Sequence, residues 1–366
     1  MTDPAPQDSS HSSLDSSLDP SGDAAAPSDE TLIRPRRISV LGAGSWGTTF
    51  AKVLADGGAD VTLWARRPEL AFEISAGHRN SDYLPGINLP RTLKAASRLE
   101  LVLEGAELVF VAVPSQKLRT VLTDAASVIP SDAILVSLMK GIEQGTRKRM
   151  SEVIAEELGL SARQIAVASG PNLALEIAKE WPTAAVIASD DLLTAQTVAL
   201  AATNKYFRSF VNTDVIGTEF GGVLKNLVAV AIGIVDGVGY GENTKASILT
   251  RGLAEMTDFA VAYGGQAETL SGLAGLGDLI ATSESSLSRN NTAGRLLGQG
   301  YSFSDVVATM KQTAEGLASI APVLELAAAR GVHMPIALQV AQVLDGTLDP
   351  RDIAPHLTTD DLPQGE

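Results

Sequence analysis

Three glycines near the amino end of the chain have the spacing of a phosphate-binding turn. The stretch ISVLGAGSWGTTFA places Gly42, Gly44 and Gly47 directly after a β-branched run and at the start of a helix pattern. In this context the first glycine allows a tight turn, the second lets backbone N–H groups approach a pyrophosphate, and the third lets the helix pack closely on the sheet. The helix N-terminus stabilises the bound anion. The pattern therefore predicts a dinucleotide site.

Two arginines after the second predicted strand indicate which dinucleotide is bound. An NAD-specific site usually has Asp or Glu at this position, where the carboxylate bonds the ribose 2′-hydroxyl. This chain has Arg66 and Arg67 instead, and two guanidiniums can bind a 2′-phosphate through bidentate hydrogen bonds. We expect NADP(H) to be preferred and NAD(H) to be tolerated. The alternative is a solvated pair at a helix start.

Two lysines could act next to such a cofactor. In GGVLKNLVAVAIGIVDG, Lys225 is the only charged residue between Glu219 and Asp236, and the apolar residues after it predict a buried helix. Lys140 ends the predicted strand of AILVSLMKG, at the carboxyl edge where doubly wound sheets bind ligands. Each lysine has a simpler explanation, because it could be solvated at a strand end or extend to water from a half-buried helix.

Three further motifs could bind a substrate. SGPN follows the next predicted strand, and GLAGLGDL precedes SRNN along the chain. Arg289 and Asn290 stand where a helix pattern opens, which predicts a phosphate site formed by a cationic side chain and a helix N-terminus. GLAGLGDL could equally be a plain turn between two helices.

The composition excludes several classes of site. The chain has no cysteine, so disulfides, thiolate metal sites and a cysteine nucleophile are excluded. Its four histidines are far apart in the sequence, so we expect no metal. The net charge of −15 argues against binding to nucleic acid or to an anionic membrane. The chain has no run of about 18 apolar residues, so the sequence predicts no membrane span. A cytoplasmic location is compatible with these features.

The order of the elements predicts two domains behind an acidic extension. Residues 1–34 carry seven acids and one base and have so few apolar groups that we expect disorder. Residues 35–213 alternate strands with helices, which predicts a largely parallel, doubly wound sheet. Residues 214–350 contain helix patterns and no convincing strand, and residues 351–366 are expected to be loose.

The element bounds follow from local pattern. The predicted strands are Ile38–Leu41, Asp60–Trp64, Leu108–Val113, Ala133–Leu138, Ile165–Ser169, Ala184–Ser189 and Lys205–Val211. The predicted helices are Ser45–Ala55, a long one capped by Asp214 and ending near Val235, Asn243–Tyr263, Asn290–Leu297, Gly316–Arg330 and Pro335–Leu344.

A series of motifs occurs in the order of one known family. They are ISVLGAGSWGTTFA, ARRPE, NSDYLPGINLP, VAVPSQ, SLMKGIE, SGPN, GGVLKNLVAVAIGIVDG, TRGLAEM, GLAGLGDL, SRNN and TAEG. On these motifs the sequence resembles the bacterial NAD(P)-dependent glycerol-3-phosphate dehydrogenases from about Arg37 to Asp345. The resemblance implies a Rossmann-type sheet followed by a helical domain like that of 6-phosphogluconate dehydrogenase.

The resemblance also implies an activity and a biological setting. The reaction would be the reversible reduction of dihydroxyacetone phosphate to sn-glycerol 3-phosphate, a small phosphorylated substrate used in glycerophospholipid synthesis. The enzyme would be cytoplasmic, without integral membrane contact. A homodimer is the expectation from the base rate for soluble oligomers.

Site residues carry over from the family position by position. Lys225 matches the catalytic lysine, Lys140 a second active-site lysine near both nicotinamide and substrate, and Asp278 part of the same cluster. The cofactor contacts would be Gly42, Gly44, Ser45, Trp46, Gly47, Arg66, Arg67, Tyr83, Lys140, Ala174, Arg289 and Glu315. The substrate contacts would be Lys140, Gly170, Asn172, Lys225, Asp278, Ser288, Arg289 and Asn290.

Two features depart from the family. Many relatives have Ser or Thr where Asn172 stands, and the acidic extension of residues 1–34 has no counterpart in the family pattern. We expect the first difference to change little, and the resemblance implies nothing about the use of the extension.

The implied reaction explains an ammonium at the head of an apolar helix. Hydride transfer to the carbonyl carbon leaves an alkoxide, which needs a general acid within hydrogen-bond reach. Lys225 is the candidate. Apolar surroundings and the nearby Lys140 should lower its pKa, while Asp278 should raise it and orient the amine.

Two alternatives remain open. A lysine-using relative of the β-hydroxyacid or 6-phosphogluconate dehydrogenase type would share the architecture but not the set GGVLKN, GLGDL and SRNN. A catalytically silent NADP(H) sensor would be expected to lose the active-site lysines or the phosphate-binding arginine. This chain retains Lys140, Lys225 and Arg289.

Overall fold

The computed structural model describes residues 33–310 and 315–353. The strands are β1 Arg37–Leu41, β2 Asp60–Trp64, β3 Lys94–Ala96, β4 Leu108–Val111, β5 Ile134–Ser137, β6 Ile165–Ser169, β7 Thr183–Ala188 and β8 Phe207–Asn212. The helices that accompany the sheet are α1 Ser45–Asp56, α2 Pro68–Gly77, α3 Leu99–Leu103, α4 Leu118–Ala125, α5 Met150–Leu158, α6 Ala174–Ala178 and α7 Leu192–Ala202.

The second half of the described chain is helical. Its helices are α8 Val215–Val238, α9 Glu242–Ala262, α10 Ala267–Ser271, α11 Asp278–Glu284, α12 Arg289–Gly298, α13 Phe303–Thr309, α14 Glu315–Arg330 and α15 Pro335–Asp345. A π-helical turn, Leu273–Gly277, connects α10 to α11. Short 3₁₀ turns occur at Ser115–Lys117, Ala162–Gln164 and Pro350–Asp352.

The sheet has the strand order β3-β2-β1-β4-β5-β6-β7-β8. All neighbouring pairs are parallel except β6 and β7, which run antiparallel. Strands β1 to β6 have the dinucleotide-binding order, in which the order of the strands reverses between β1 and β4 and leaves a crevice at their carboxyl ends. The expected doubly wound, Rossmann-type architecture is confirmed, with one antiparallel step near its far edge.

The strands are apolar because helices cover both faces of the sheet. All four residues of β4 and all five of β6 are buried. Phe50 of α1 packs on Phe110 of β4 and on Phe207 of β8, with ring centroids 5.0 and 5.7 Å apart. Strand β3 was not predicted, because it has three residues, lies at the edge of the sheet and is at most partly buried.

Helix α8 is the central element of the helical half. The side chain of Asp214 accepts a hydrogen bond from the backbone N–H of Gly217 at 2.7 Å and caps the helix, as predicted. Among the described residues it is the one helix long and apolar enough to cross a membrane by length and composition. Most of it is buried, however, because α9, α11, α12 and α14 surround it. It packs as the core helix of a globular fold.

Four glycines bring the backbones of α8 and α12 into direct contact. A Cβ atom on Gly233 would lie 2.2 Å from the carbonyl oxygen of Asn291, and one on Gly294 would lie 2.1 Å from that of Val230. Gly237 and Gly298 are equally close to the opposite backbone. No larger residue fits at these positions, so the register of α12 on α8 is set by backbone contact.

A buried ion pair joins the sheet to the helical half. The carboxylate of Glu219, on α8, accepts hydrogen bonds from Arg149 at 2.7 Å and from the backbone N–H and hydroxyl of Ser151 at 2.9 and 2.5 Å. Burial raises the pKa of Glu219, and the Arg149 cation opposes that shift. The described residues from Ile33 to Ile353 belong to one compact unit.

The predicted termini fall mostly outside the described residues. Of the acidic extension 1–34, only Ile33 and Arg34 are described, and Arg34 donates a hydrogen bond to the carbonyl of Thr203 at 2.8 Å. Of the predicted loose tail 351–366, residues 351–353 are described. Ile353 is buried in the core of the helical half.

Candidate active site

The glycine-rich turn has the geometry that its sequence predicts. Gly42 has a φ of +117°, and a Cβ atom there would lie 2.5 Å from the carbonyl oxygen of Ala112. A Cβ on Gly47 would lie 1.9 Å from the carbonyl oxygen of Gly42. Gly44 instead faces open space, with no atom within 4 Å of a Cβ position. The turn therefore leaves its backbone open to a phosphate group beside Gly44, which is the fit that a dinucleotide requires.

The other expected cofactor residues surround this turn. The hydroxyl of Ser45 donates to the carbonyl of Tyr83 at 2.6 Å, and the indole N–H of Trp46 donates to the carbonyl of Leu138 at 3.2 Å. Ala174 opens α6, and its carbonyl accepts from Thr49 of α1 at 3.2 Å. The turn, the Tyr83 loop and the strand end that leads to Lys140 are thus tied together.

Arg66 and Arg67 lie exposed after β2. Arg67 is the residue that precedes α2, and its guanidinium forms an ion pair with Asp82. Arg66 forms no ion pair within the described ranges 33–310 and 315–353. The expected pair of guanidiniums is present, but one of them already has a carboxylate partner that the sequence argument missed.

One carboxylate bridges the two active-site lysines. The ammonium of Lys225 lies 3.0 Å from Oδ1 of Asp278, while the ammonium of Lys140 pairs with Oδ2 of the same residue. Lys140 also donates to the carbonyl of Gly170 at 3.1 Å. Two amines from different halves of the molecule therefore share one buried counter-ion.

Thr282 completes this cluster and was missed in the sequence. Its hydroxyl accepts from Lys225 at 2.6 Å and lies 3.2 Å from Oδ1 of Asp278. Thr282 follows Asp278 by four residues on α11, which puts both side chains on one face of the helix. That spacing is the signal that could have identified it.

Two adjacent glycines of α8 explain how the cluster is assembled. A Cβ on Gly221 would lie 2.5 Å from the carbonyl oxygen of Ala274, in the π-helical turn that precedes Asp278. A Cβ on Gly222 would lie 2.7 Å from the hydroxyl of Ser169 and 3.2 Å from the side chain of Lys140. The motif GLAGLGDL is therefore a packed π-helical turn, which delivers Asp278 to Lys225.

The surroundings of Lys225 lower its pKa to about 8. Burial has the largest effect, since the residue is 6% exposed. The charge of Asp278 raises the pKa, and the charges of Lys140 and Arg289 lower it. The directions are those expected from the sequence, with Arg289 as an additional influence.

The SRNN segment forms the start of α12 as predicted. The hydroxyl of Ser288 caps the helix by accepting from the backbone N–H of Asn291 at 3.2 Å. The amide of Asn290 donates to Asn226 at 2.8 Å, and its oxygen accepts from the backbone N–H of Gly316 at 3.2 Å. Asn226 follows Lys225, so the helix start is fixed relative to the lysine.

The SGPN segment lies beside Lys140. Gly170 has a φ of +133°, and a Cβ there would lie 3.1 Å from Cα of Ala185. Both polar atoms of the Asn172 side chain are buried and have no hydrogen-bond partner among residues 33–310 and 315–353. Two unsatisfied amide atoms next to the lysine cluster fit a polar ligand.

Glu315 is the one expected cofactor residue whose side chain lies outside the described structure. Its backbone begins α14, directly after the undescribed residues 311–314. In the parts of the chain that the structure describes, no group of three or more His, Cys, Asp or Glu side chains could hold a metal ion.

Comparison with known proteins identifies the family. The family described as "NAD-dependent glycerol-3-phosphate dehydrogenase N-terminus" matches residues 37–195, and its "C-terminus" counterpart matches residues 214–355. The chain belongs to the NAD-dependent glycerol-3-phosphate dehydrogenase family. The family resemblance drawn from the motifs is therefore confirmed.

Individual members of the family are similar over most of the chain. A glycerol-3-phosphate dehydrogenase [NAD(P)+] of Leifsonia xyli is 72% identical over 327 residues, which is 89% of each chain. One of Corynebacterium glutamicum is 54% identical over 83% of this chain and 92% of its own. A crystal structure of glycerol-3-phosphate dehydrogenase from Coxiella burnetii matches with a TM-score of 0.82 and 38% identity, over 89% of this chain and 99% of that one.

More distant structures share only the fold. D-mandelate dehydrogenase in complex with NADH matches with a TM-score of 0.56 at 13% identity, over 85% of this chain and 98% of that one. A Rossmann-type sheet followed by a helical domain therefore occurs outside the glycerol-3-phosphate dehydrogenase family. The architecture alone does not identify the substrate.

Proposed function

We propose that this chain is an NAD(P)-dependent glycerol-3-phosphate dehydrogenase, which interconverts dihydroxyacetone phosphate and sn-glycerol 3-phosphate with Lys225 as the proton donor. The main support for the proposal is the buried cluster in which Lys225 and Lys140 share the carboxylate of Asp278. The Leifsonia xyli relative is named glycerol-3-phosphate dehydrogenase [NAD(P)+], which supports the same activity.

Lys225 transfers the proton of the reaction. A bound nicotinamide supplies the hydride that adds to the carbonyl carbon of the ketone. The electron pair of the C=O π bond moves to the oxygen, and that oxygen takes a proton from the ammonium of Lys225. With a pKa of about 8, this group is near the range in which a general acid works best at neutral pH. In the reverse direction the neutral amine removes the hydroxyl proton.

The neighbours of Lys225 orient the amine and supply charge. Asp278 and Thr282 bind two of its N–H bonds, so the third can point to the substrate oxygen. Two ammonium groups, those of Lys140 and Lys225, share the one carboxylate of Asp278. This local positive charge stabilises the developing oxyanion and attracts a phosphorylated substrate in spite of the net charge of −15.

The start of α12 binds the substrate phosphate in this proposal. Arg289 supplies a guanidinium and the helix N-terminus supplies backbone N–H groups, a combination suited to a phosphate. Ser288 and Asn290 fix the local geometry through the cap and the bond to Asn226. The unsatisfied amide of Asn172 and the backbone of Gly170 complete the polar contacts.

The glycine-rich turn would hold the cofactor's pyrophosphate, and Arg66 and Arg67 would contact its adenosine ribose. NADP(H) is preferred because two guanidiniums stand where an NAD-specific site has a carboxylate. NAD(H) is also accepted. The family resemblance supports a role in glycerophospholipid synthesis. We propose a cytoplasmic enzyme and, from the base rate for soluble oligomers, a homodimer.

The test is the oxidation of NADPH and of NADH by the purified chain, with dihydroxyacetone phosphate added last. We expect rapid oxidation of the cofactor only after the ketone is added. Dihydroxyacetone without the phosphate is the matched control and should react poorly. A folded chain that binds NADPH but oxidises neither cofactor would contradict the proposal and favour a dehydrogenase of another substrate, or a cofactor sensor.

A further inference from the structure

The carboxylate of Asp82 forms an ion pair with one of the two arginines that we expect to bind a 2′-phosphate. Arg67 follows the carboxyl end of β2, where dinucleotide-binding folds distinguish the ribose 2′-hydroxyl from a 2′-phosphate. Its guanidinium forms an ion pair with Asp82, and both side chains are about half exposed. Arg66 keeps no such partner among the described residues.

The loop that carries Asp82 is anchored from its buried side. The amide of Asn80, which is fully buried, donates to the carbonyl of Ala43 at 3.0 Å and to the hydroxyl of Thr48 at 2.8 Å. Its oxygen accepts from the backbone N–H of Tyr83 at 3.2 Å. Ala43 lies between two glycines of the dinucleotide turn, so Asn80 ties the loop directly to that turn.

Two further contacts hold the residues on either side of Asp82. Ser81 donates from its backbone and its hydroxyl to the carboxylate of Glu73, on α2, at 3.0 and 2.5 Å. The carbonyl of Tyr83 accepts from the hydroxyl of Ser45 at 2.6 Å. Because the backbone is fixed on both sides, the carboxylate of Asp82 faces Arg67 with less loss of conformational freedom than a mobile surface loop would incur.

We propose that Asp82 sets the preference of this chain between NADP(H) and NAD(H) by competing with the 2′-phosphate for Arg67. The proposal rests on the dinucleotide specificity of the proposed function. A 2′-phosphate carries about −1.5 to −2 charges and has to displace the carboxylate before it can bind both arginines. A 2′-hydroxyl needs no such displacement. Asp82 therefore weakens the NADP(H) preference that Arg66 and Arg67 would otherwise impose.

The experiment compares Asp82→Asn with the wild-type chain in direct binding, without any ketone present. Calorimetric titration with 2′,5′-ADP and with 5′-AMP isolates the ribose end, and NADPH and NADH are the full-length pair. We expect Asp82→Asn to tighten 2′,5′-ADP and NADPH by about threefold to fivefold, the upper part of the range of an exposed ion pair. Binding of 5′-AMP and NADH should change by less than about twofold.

The matched control is Asp60→Asn. Asp60 is also an exposed carboxylate in an ion pair, with Lys94 at 2.9 Å, and its loss changes the net charge equally. It lies at the other end of β2, however, so it should leave the ratio of the two affinities unchanged. A similar shift in this control would mean that net charge alone is responsible, and the proposal would be wrong.

A second variant tests whether Asp82 acts through Arg67. In an Arg67→Gln background, Asp82→Asn should tighten NADPH by less than about twofold, because the competed group is gone. A gain that persists in full would overturn the proposal, as would an unchanged ratio in Asp82→Asn alone. A chain that binds both cofactors but does not reduce dihydroxyacetone phosphate would contradict the proposed function and leave this inference intact.

Discussion

Two regions of the candidate site pair a cation with an aspartate in opposite environments. In the region proposed for catalysis, Lys225 and Lys140 share Asp278, and the carboxylate is almost completely buried. In the region proposed for the adenosine ribose, Arg67 pairs with Asp82 and both groups are about half exposed. Because the first cluster is buried, its environment shifts the pKa of Lys225. Because the Arg67–Asp82 pair is exposed, a ligand can displace the carboxylate from the arginine.

The largest effect should come from removing the buried amine. In Lys225→Met, the loss of both the proton donor and the charge beside the oxyanion should lower kcat by at least about 10³-fold. Affinity for NADPH, measured by titration, should stay close to wild type. Lys245→Met is the matched control, because Lys245 pairs with Asp236 and Glu242 and not with Asp278. Turnover of Lys225→Met within tenfold of wild type would rule out its role.

Removal of the shared carboxylate should have the next largest effect. In Asp278→Asn, two largely buried ammonium groups lose their counter-ion, and the pKa of Lys225 should fall below its value of about 8. We expect kcat/KM at neutral pH to fall by about 10²-fold and its pH dependence to move to lower pH. An unfolding curve checks that the variant is folded. A pH profile that keeps its position would show that Asp278 does not control the charge of Lys225.

The wild-type pH profile tests the buried end without any mutation. Ketone reduction needs the protonated amine, which is present below pH about 8 and is lost above it. We therefore expect kcat/KM for dihydroxyacetone phosphate to fall as the pH rises through about 8, since this parameter reports the free enzyme. Oxidation of glycerol 3-phosphate should rise over the same range. Parallel changes in both directions would contradict a single acid–base group.

The smallest effects are expected at the exposed end. Arg66→Gln should weaken NADPH by about tenfold and Arg67→Gln by about threefold, because Asp82 already occupies Arg67. Both differences should shrink as salt is raised, since exposed charges are screened. NADH is the internal control and should be unaffected. A larger loss in Arg67→Gln than in Arg66→Gln would reverse the assignment of the two arginines.

Regular elements were predictable from the sequence where one local pattern dominates. The glycine-rich turn, most strands and the Asp214-capped helix agree with prediction, because burial on both faces of a sheet leaves long apolar runs. Strand β3 was missed because an edge strand of three residues has no such run. Helix α8 extends three residues beyond the predicted end near Val235, to Val238, and the left-handed backbone of Gly239 ends the helix.

Side-chain partners were harder to predict than elements. Lys225, Lys140 and Asp278 are far apart in sequence, and family resemblance rather than spacing brought them together. Thr282 could have been found from its spacing to Asp278. The partner of Arg67 could not, because Asp82 reaches it only through a loop whose path depends on the buried amide of Asn80.

The glycine contact between α8 and α12 fixes the distance between Lys225 and the start of α12. Lys225 lies on one helix and Arg289 begins the other, and no compressible side chain separates the two backbones at Gly233, Gly237, Gly294 and Gly298. The distance from Lys225 to Arg289 therefore cannot be lengthened by sliding the helices. If the site acts as proposed, a longer phosphorylated ketone has to be accommodated by changes elsewhere in the site, with the contact between α8 and α12 left unchanged.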